Sequence, residues 1–173
     1  PISLVGSEMC IRDRYSNNKV PGTIYASDFD LGNNLNAYYD TNSYDFEYST
    51  GTYQASNSFI YRNDGVDVNS TTFSAGNGFC IEHIDKGEWA VYTINVENDG
   101  LYDIGIFFSS TSNSGKISLE INGIPINSNM PLGNSGDYDR FIEKKLEKIQ
   151  LNSGINKFKF IAENSGFDLS HFV

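Results

Sequence analysis

Few groups in this chain could do covalent chemistry. Its two histidines, His83 and His171, sit in no HExxH or comparable spacing that would bring two imidazoles to one metal. No G-x-S-x-G stretch presents a serine nucleophile, and no glycine-rich loop has the pattern that cradles a phosphate. Cys80, between Phe79 and Ile81, has the setting of a small buried hydrophobe rather than a reactive thiol. Carboxylates are abundant, with 22 Asp and Glu. A pair such as Glu82 and Glu88 has the types a glycoside hydrolase uses as acid and base, and a small hydrolase would need two such groups facing across a cleft. A surface this acidic supplies such pairs by chance, and a solvated acidic face accounts for them.

The elements that must position any site follow from composition. The chain has 173 residues, the size of one domain with one core. Twelve Lys and Arg against 22 Asp and Glu give a formal charge of −10. That balance repels a phosphate backbone and an anionic bilayer alike, so neither nucleic acid nor a membrane is an expected partner. No run of about 18 apolar residues is present to span a bilayer. Aromatics make up 14% of the chain, enough ring surface for a core without disulfides.

The first fourteen residues, PISLVGSEMCIRDR, fit neither a helix nor a strand and have no signal-peptide pattern. EMCIRDR resembles the translation of a transposase adapter used in sequencing libraries. Residues 1–14 are therefore expected to be a non-native or disordered leader, with the domain over 15–173. Cys10 falls inside the leader, which argues against a Cys10–Cys80 disulfide.

Beyond residue 20 the apolar pattern has period two. Ala90, Tyr92, Ile94 and Val96 share one strand face, and Tyr102, Ile104, Ile106 and Phe108 share another after the turn Asn98-Asp99-Gly100. Ile117, Leu119 and Ile121 precede the turn Asn122-Gly123, and Asn156, Phe158, Phe160 and Ala162 follow the turn at Ser153-Gly154. RFIEKKLEKIQL, residues 140–151, fits a helix or an exposed charged edge strand; the Gly-containing turn and strand that follow favour the strand. Short strands at regular spacing without helical interludes predict an all-β fold, an antiparallel β-sandwich.

The blocks VPGTIYASDFD (20–30), NAYYDTNSYDFEYSTGTYQ (36–54), YRNDGVDV (61–68), GFCIEHIDKGEWAVYTINVENDGLYDIGIFF (78–108) and SGFDLSHF (165–172) resemble, in order, those of a family 6 carbohydrate-binding module. The likeness covers residues 20–173. It looks like the version appended to agarases, laminarinases and other polysaccharidases of marine bacteria. The resemblance implies a jelly-roll β-sandwich, without catalysis, that binds a glycan in a cleft between loops. A sugar ring has an apolar C–H face that stacks on an aromatic ring, and its hydroxyls need fixed polar partners.

Carried over residue by residue, the resemblance puts His83 at the family's first stacking aromatic, six residues before Trp89, where imidazole offers a smaller face. It puts Tyr138, in the polar stretch GNSGDYDRF beside Phe141, at the second, and a tyrosine in such a loop is hard to explain as core. Asp168 stands at the family's C-terminal Asn, and a carboxylate accepts hydrogen bonds from sugar hydroxyls but cannot donate as an amide does. Asp67 falls near a carboxylate that some members turn to sugar hydroxyls. Trp89 is expected to be core, as in the family, rather than a platform.

The family also carries a structural calcium. Ser27 stands where the family has a glutamate ligand, a hydroxyl in place of a carboxylate, and Asp28 and Asp30 are the remaining weak candidates. The expected partners are a polysaccharide of the β-glucan, xylan or agar type and a covalently linked glycoside hydrolase, in a secreted or cell-surface protein. A structural or adhesion sandwich with a degenerate cleft is the alternative that the replacements at positions 83 and 168 leave open.

Overall fold

A computed structural model describes residues 14–41, 61–62 and 65–173. The leader, apart from Arg14, and much of the block 36–54 lie outside the described residues. The described chain is a sandwich of two six-stranded sheets. One contains β1 (Asn18–Val20), β3 (Tyr38–Tyr39), β6 (Trp89–Val96), β8 (Lys116–Ile121), β9 (Ile124–Pro131) and β11 (Gly154–Asn164). Its order is β1-β6-β11-β8-β9, with β3 also against β6. The other contains β2 (Ile24–Tyr25), β4 (Val68–Ser70), β5 (Phe79–Ile81), β7 (Gly100–Ser109), β10 (Ile142–Leu151) and β12 (Asp168–Phe172). Its order is β10-β7-β12-β5-β4, with β2 on β12. All pairs are antiparallel except β1 with β6.

The two-residue periodicity marks the inner faces. Ala90, Tyr92, Ile94 and Val96 are buried, and so are Ile104, Ile106 and Phe108 opposite them. Ile117, Leu119, Phe158, Phe160 and Ala162 complete the layer. Tyr92, fully buried, donates its hydroxyl to the Ala26 carbonyl at 2.8 Å, so its one polar atom is satisfied inside the core. Asn122 and Gly123 both take positive φ, the backbone of a tight hairpin whose twist matches its strands. Residues 142–151 form an edge strand paired only with β7, and its lysines and glutamates deter further pairing.

Trp89 departs from expectation. It is half-buried on the outer face of its sheet, with the Lys159 ammonium 4.3 Å above its ring, rather than packed in the core. Ala90 and Tyr92 point inward, so Trp89, one residue before Ala90, must point out. Cys80 is buried and free, as expected, and burial with nearby Asp168, Glu82 and Asp139 pushes its thiol up to about 12.

The registers bring one set of strand ends together: Trp89 opposite Ile161, Lys116 opposite both Asn164 and Pro131, Ile142 opposite Phe108, Asp168 opposite Ser109, and Leu169 opposite Ile81. The loops 82–88, 110–115, 132–141 and 165–167 therefore share one end of the sandwich.

Candidate functional site

Each of these loops is fixed by a buried polar anchor. In loop 82–88, Ile81 and Ile84 are buried and Glu88 ties the turn together. One Glu88 carboxylate oxygen accepts the Thr41 N–H at 2.9 Å and its hydroxyl at 2.7 Å, and the other accepts the Asp85 N–H at 2.9 Å. Glu88 is thus a structural anchor rather than half of an acid–base pair. Between the two isoleucines His83 adopts a left-handed backbone, φ 51°, and its side chain is 69% exposed with Nε2 3.8 Å from Glu82.

In loop 132–141 the anchor is Ser135. Its buried hydroxyl accepts the Ser110 N–H at 2.8 Å and lies within hydrogen-bonding distance of the Ser110 and Asp137 carbonyls. The Asp137 carboxylate accepts the Asp139 N–H at 3.0 Å, closing the turn that carries Tyr138, which is 43% exposed. Phe141, its neighbour, is instead buried, stacked on Phe73 at 5.1 Å beside Phe107 and His171, and offers nothing to a ligand at this end. Loop 165–167 is held by the Ser110 hydroxyl, which donates to the Gly166 carbonyl at 2.6 Å.

Asp67 and Asp168 adjoin these loops. The Asp67 carbonyl accepts the Glu82 N–H at 2.9 Å, which brings β4's lead-in alongside the His83 loop. Burial pushes the Asp67 carboxyl up to about 6; the Glu88, Glu82 and Asp85 carboxylates push the same way and His83 opposes them. Burial pushes Asp168 up to about 7, with Glu82 and Asp139 adding to it and His83 opposing. The same histidine thus acts on both aspartates. Asp139, which acts on Asp168, is the residue after Tyr138. Of the residues read from the sequence, His83, Asp67 and Asp168 are linked electrostatically, through His83 and Glu82. Asp139 was not singled out, although it adjoins Tyr138, and Glu82 was weighed only as half of an acid–base pair with Glu88.

The calcium ligands do not assemble. Asp30 accepts the Thr93 N–H at 2.7 Å, the Thr93 hydroxyl at 2.6 Å and the Lys157 ammonium at 2.6 Å, so a side-chain cation already neutralises it. Asp28 accepts the Tyr61 hydroxyl at 2.6 Å, and Ser27 Oγ accepts an amide N–H of Asn77 at 3.0 Å. The Arg62 guanidinium donates to the carbonyls of Ser27, Phe29 and Asp30. Hard cations need several free oxygens, and no three His, Cys, Asp or Glu gather among the described residues. The described residues do not fit the ion.

A cavity of about 310 Å³ lies between the sheets at the other end, lined by Ile24, Ile94, Ile104, Phe158 and Phe172 among others, and contains none of the cleft residues.

Comparison with known proteins agrees with this architecture. The model of the family "Carbohydrate binding module (family 6)" matches residues 58–173. No curated protein matches. A module from Clostridium stercorarium solved with cellobiose superposes with a TM-score of 0.60 at 14% identity, covering 91% of this chain and 95% of that one. A β-1,3-glucan-binding module from Bacillus halodurans gives 0.60 at 16% identity, covering 91% and 98%. A family 43 arabinoxylan arabinofuranohydrolase from Bacillus subtilis, in complex with cellotetraose, gives 0.61 at 14% identity, covering 91% of this chain and 27% of that one. The family match spans the greater part of the chain, including every loop of the cleft, and the chain belongs to family 6 of the carbohydrate-binding modules, a non-catalytic family.

Proposed function

We propose that the loop cleft binds an uncharged polysaccharide of the β-glucan, xylan or agar type and holds a linked glycoside hydrolase against it. The observation that carries this reading is the electrostatic linkage of His83, Asp67 and Asp168, together with the exposed Tyr138, at anchored loops. His83 and Tyr138 supply faces for pyranose C–H groups, and Asp67 and Asp168 take the hydroxyls. The surrounding carboxylates disfavour uronates and sulfated glycans, because like charges in a half-desolvated cleft repel strongly.

Structural neighbours solved with cellobiose, or described as β-1,3-glucan binding, support the ligand class. A neighbour that is a module-sized part of a larger hydrolase supports the tether. Tethering raises the local concentration of substrate without adding catalytic contacts. Such work belongs outside the cell or on its surface; among the described residues no helix is long and apolar enough to cross a membrane.

The test is a glycan array carrying β-1,3-glucan, cellulose, xylan and agarose oligosaccharides, probed with the chain and with Tyr138→Ala. Binding that falls about tenfold in the variant, equivalent to some 1.4 kcal/mol, supports the reading. Binding equal in both proteins would move the site away from this cleft, and absence of binding to all of them refutes it.

A further inference from the structure

Protein interiors leave few voids larger than a water molecule, yet the cavity at the end away from the loop cleft measures about 310 Å³. Its walls come from both sheets: Ile94, Ile121 and Phe158 from one, and Ile24, Ile104 and Phe172 from the other. Tyr102 also lines it, but its hydroxyl is engaged, donating to the Asn98 carbonyl at 2.8 Å. Such walls give neither a water molecule nor a sugar the several polar partners each needs, whereas they suit hydrocarbon. An apolar cavity of about 150 Å³ holds one benzene ring, so this one has room for about ten carbons.

Charged side chains line only its outer part. The inward Tyr102 and Ile104 and the outward Asp103 and Gly105 of β7 all border the cavity, which therefore passes the edge of that strand and opens on its outer side. There Asp103 is joined by the exposed Glu143 and Lys145 of β10. Lys145 Nζ lies 3.2 Å from one Asp103 carboxylate oxygen, and the other accepts the Lys148 N–H at 3.1 Å, so the Asp103 and Lys145 charges offset each other. Glu143 has no ion pair among the described residues. Its carboxylate lies against Gly105, where a Cβ would collide with Glu143 Oε1; only glycine leaves the carboxylate this place at the opening. The opening thus carries one uncompensated negative charge in front of an apolar interior.

We propose that this cavity binds a small cationic amphiphile, a hydrocarbon chain or ring of about ten carbons or fewer that bears an ammonium group. The body lies among the isoleucines and phenylalanines, and the ammonium donates a charge-assisted hydrogen bond to Glu143. An anionic head would meet Glu143 and Asp103 and be repelled. The site is separate from the loop cleft and works whether or not a glycan is held there.

Octylammonium, 1-octanol and octanoate share one chain and differ only in the charge of the head, so titrating each into the chain at millimolar concentration separates the two parts of the proposal. Binding is read from the ¹H–¹³C methyl resonances of isoleucine. Octylammonium should move those of Ile94, Ile104 and Ile121 and bind about tenfold more tightly than 1-octanol, while octanoate should not bind. Glu143→Gln, an exposed substitution that leaves the core untouched, should lower octylammonium to the affinity of 1-octanol and leave 1-octanol unchanged. Ile121→Phe fills the cavity and should abolish binding of both. Methyl resonances unmoved by all three probes, or shifts that centre on the loop cleft instead, overturn the site. Octanoate binding as tightly as octylammonium, or an octylammonium affinity that Glu143→Gln does not change, overturns the cationic ligand.

Discussion

Replacing Asp67 by asparagine should stabilise the fold at pH 8 and leave it unchanged at pH 4. The Asp67 carboxyl stands at about 6 against an ordinary 3.8, chiefly through burial, with Glu88, Glu82 and Asp85 adding to the rise and His83 offsetting part of it. Between those two values the folded chain holds more protons than the unfolded one, so stability falls as the pH rises across that window. The full rise corresponds to about 3 kcal/mol at 1.36 kcal/mol for each pH unit. The carboxyl is partly open to solvent, and screening leaves roughly half, about 1.5 kcal/mol. Asparagine keeps the side-chain size and removes the charge. At about 2–4 °C per kcal/mol for a chain of this length, the melting temperature at pH 8 should rise by about 3–6 °C. Thermal unfolding followed by circular dichroism at both pH values reads this directly. An equal shift at both, or a lower melting temperature at pH 8, would show that Asp67 is not a strained carboxyl and that the electrostatic picture of the cleft is wrong.

Two further outcomes follow from the core and from the misfit to calcium. Tyr92→Phe removes the hydroxyl that satisfies the buried Ala26 carbonyl; it should cost about 1–3 kcal/mol in a thermal melt and leave glycan affinity unchanged. Chelation by EDTA should leave the melting temperature where it was, as should added calcium, because Lys157 and Arg62 already hold the oxygens around Asp30; a rise of several degrees with calcium would contradict that.

The fold was largely legible because each long strand has one wet face, and alternation such as Ala90, Tyr92, Ile94, Val96 leaves a signature that needs no tertiary knowledge. The same rule, followed one residue back, places Trp89 outside; its size suggested the core, and the aliphatic stem and ammonium of Lys159 cover it instead. Residues 142–151 fitted two periods, and the decision lay in edge position, a property of the sheet rather than of the segment. The parallel pairing of β1 with β6 could not be read at all, since it depends on where a three-residue strand finds a free edge. In the cleft, His83 and Asp168 were reachable through the family resemblance. Their electrostatic linkage with Asp67 was not, because it is set by loops far apart in sequence.

The anchors explain how a cleft built on loops can be specific. Loops with few buried contacts open easily and must be ordered when a ligand arrives, at a cost in side-chain and backbone freedom. Here Glu88 holds its loop by three hydrogen bonds, and Ser110 and Ser135 lock two more loops to one another. These polar groups are buried behind the cleft, so a ligand need not displace them. The ordering cost has been met on folding, and the exposed residues in front, His83 and Tyr138, can differ from the family's pattern without loosening the frame. Substituting the exposed pair should therefore change which sugar binds and how tightly, whereas losing Glu88 or Ser135 should weaken every sugar together, because the frame that presents all the contacts would no longer be preformed.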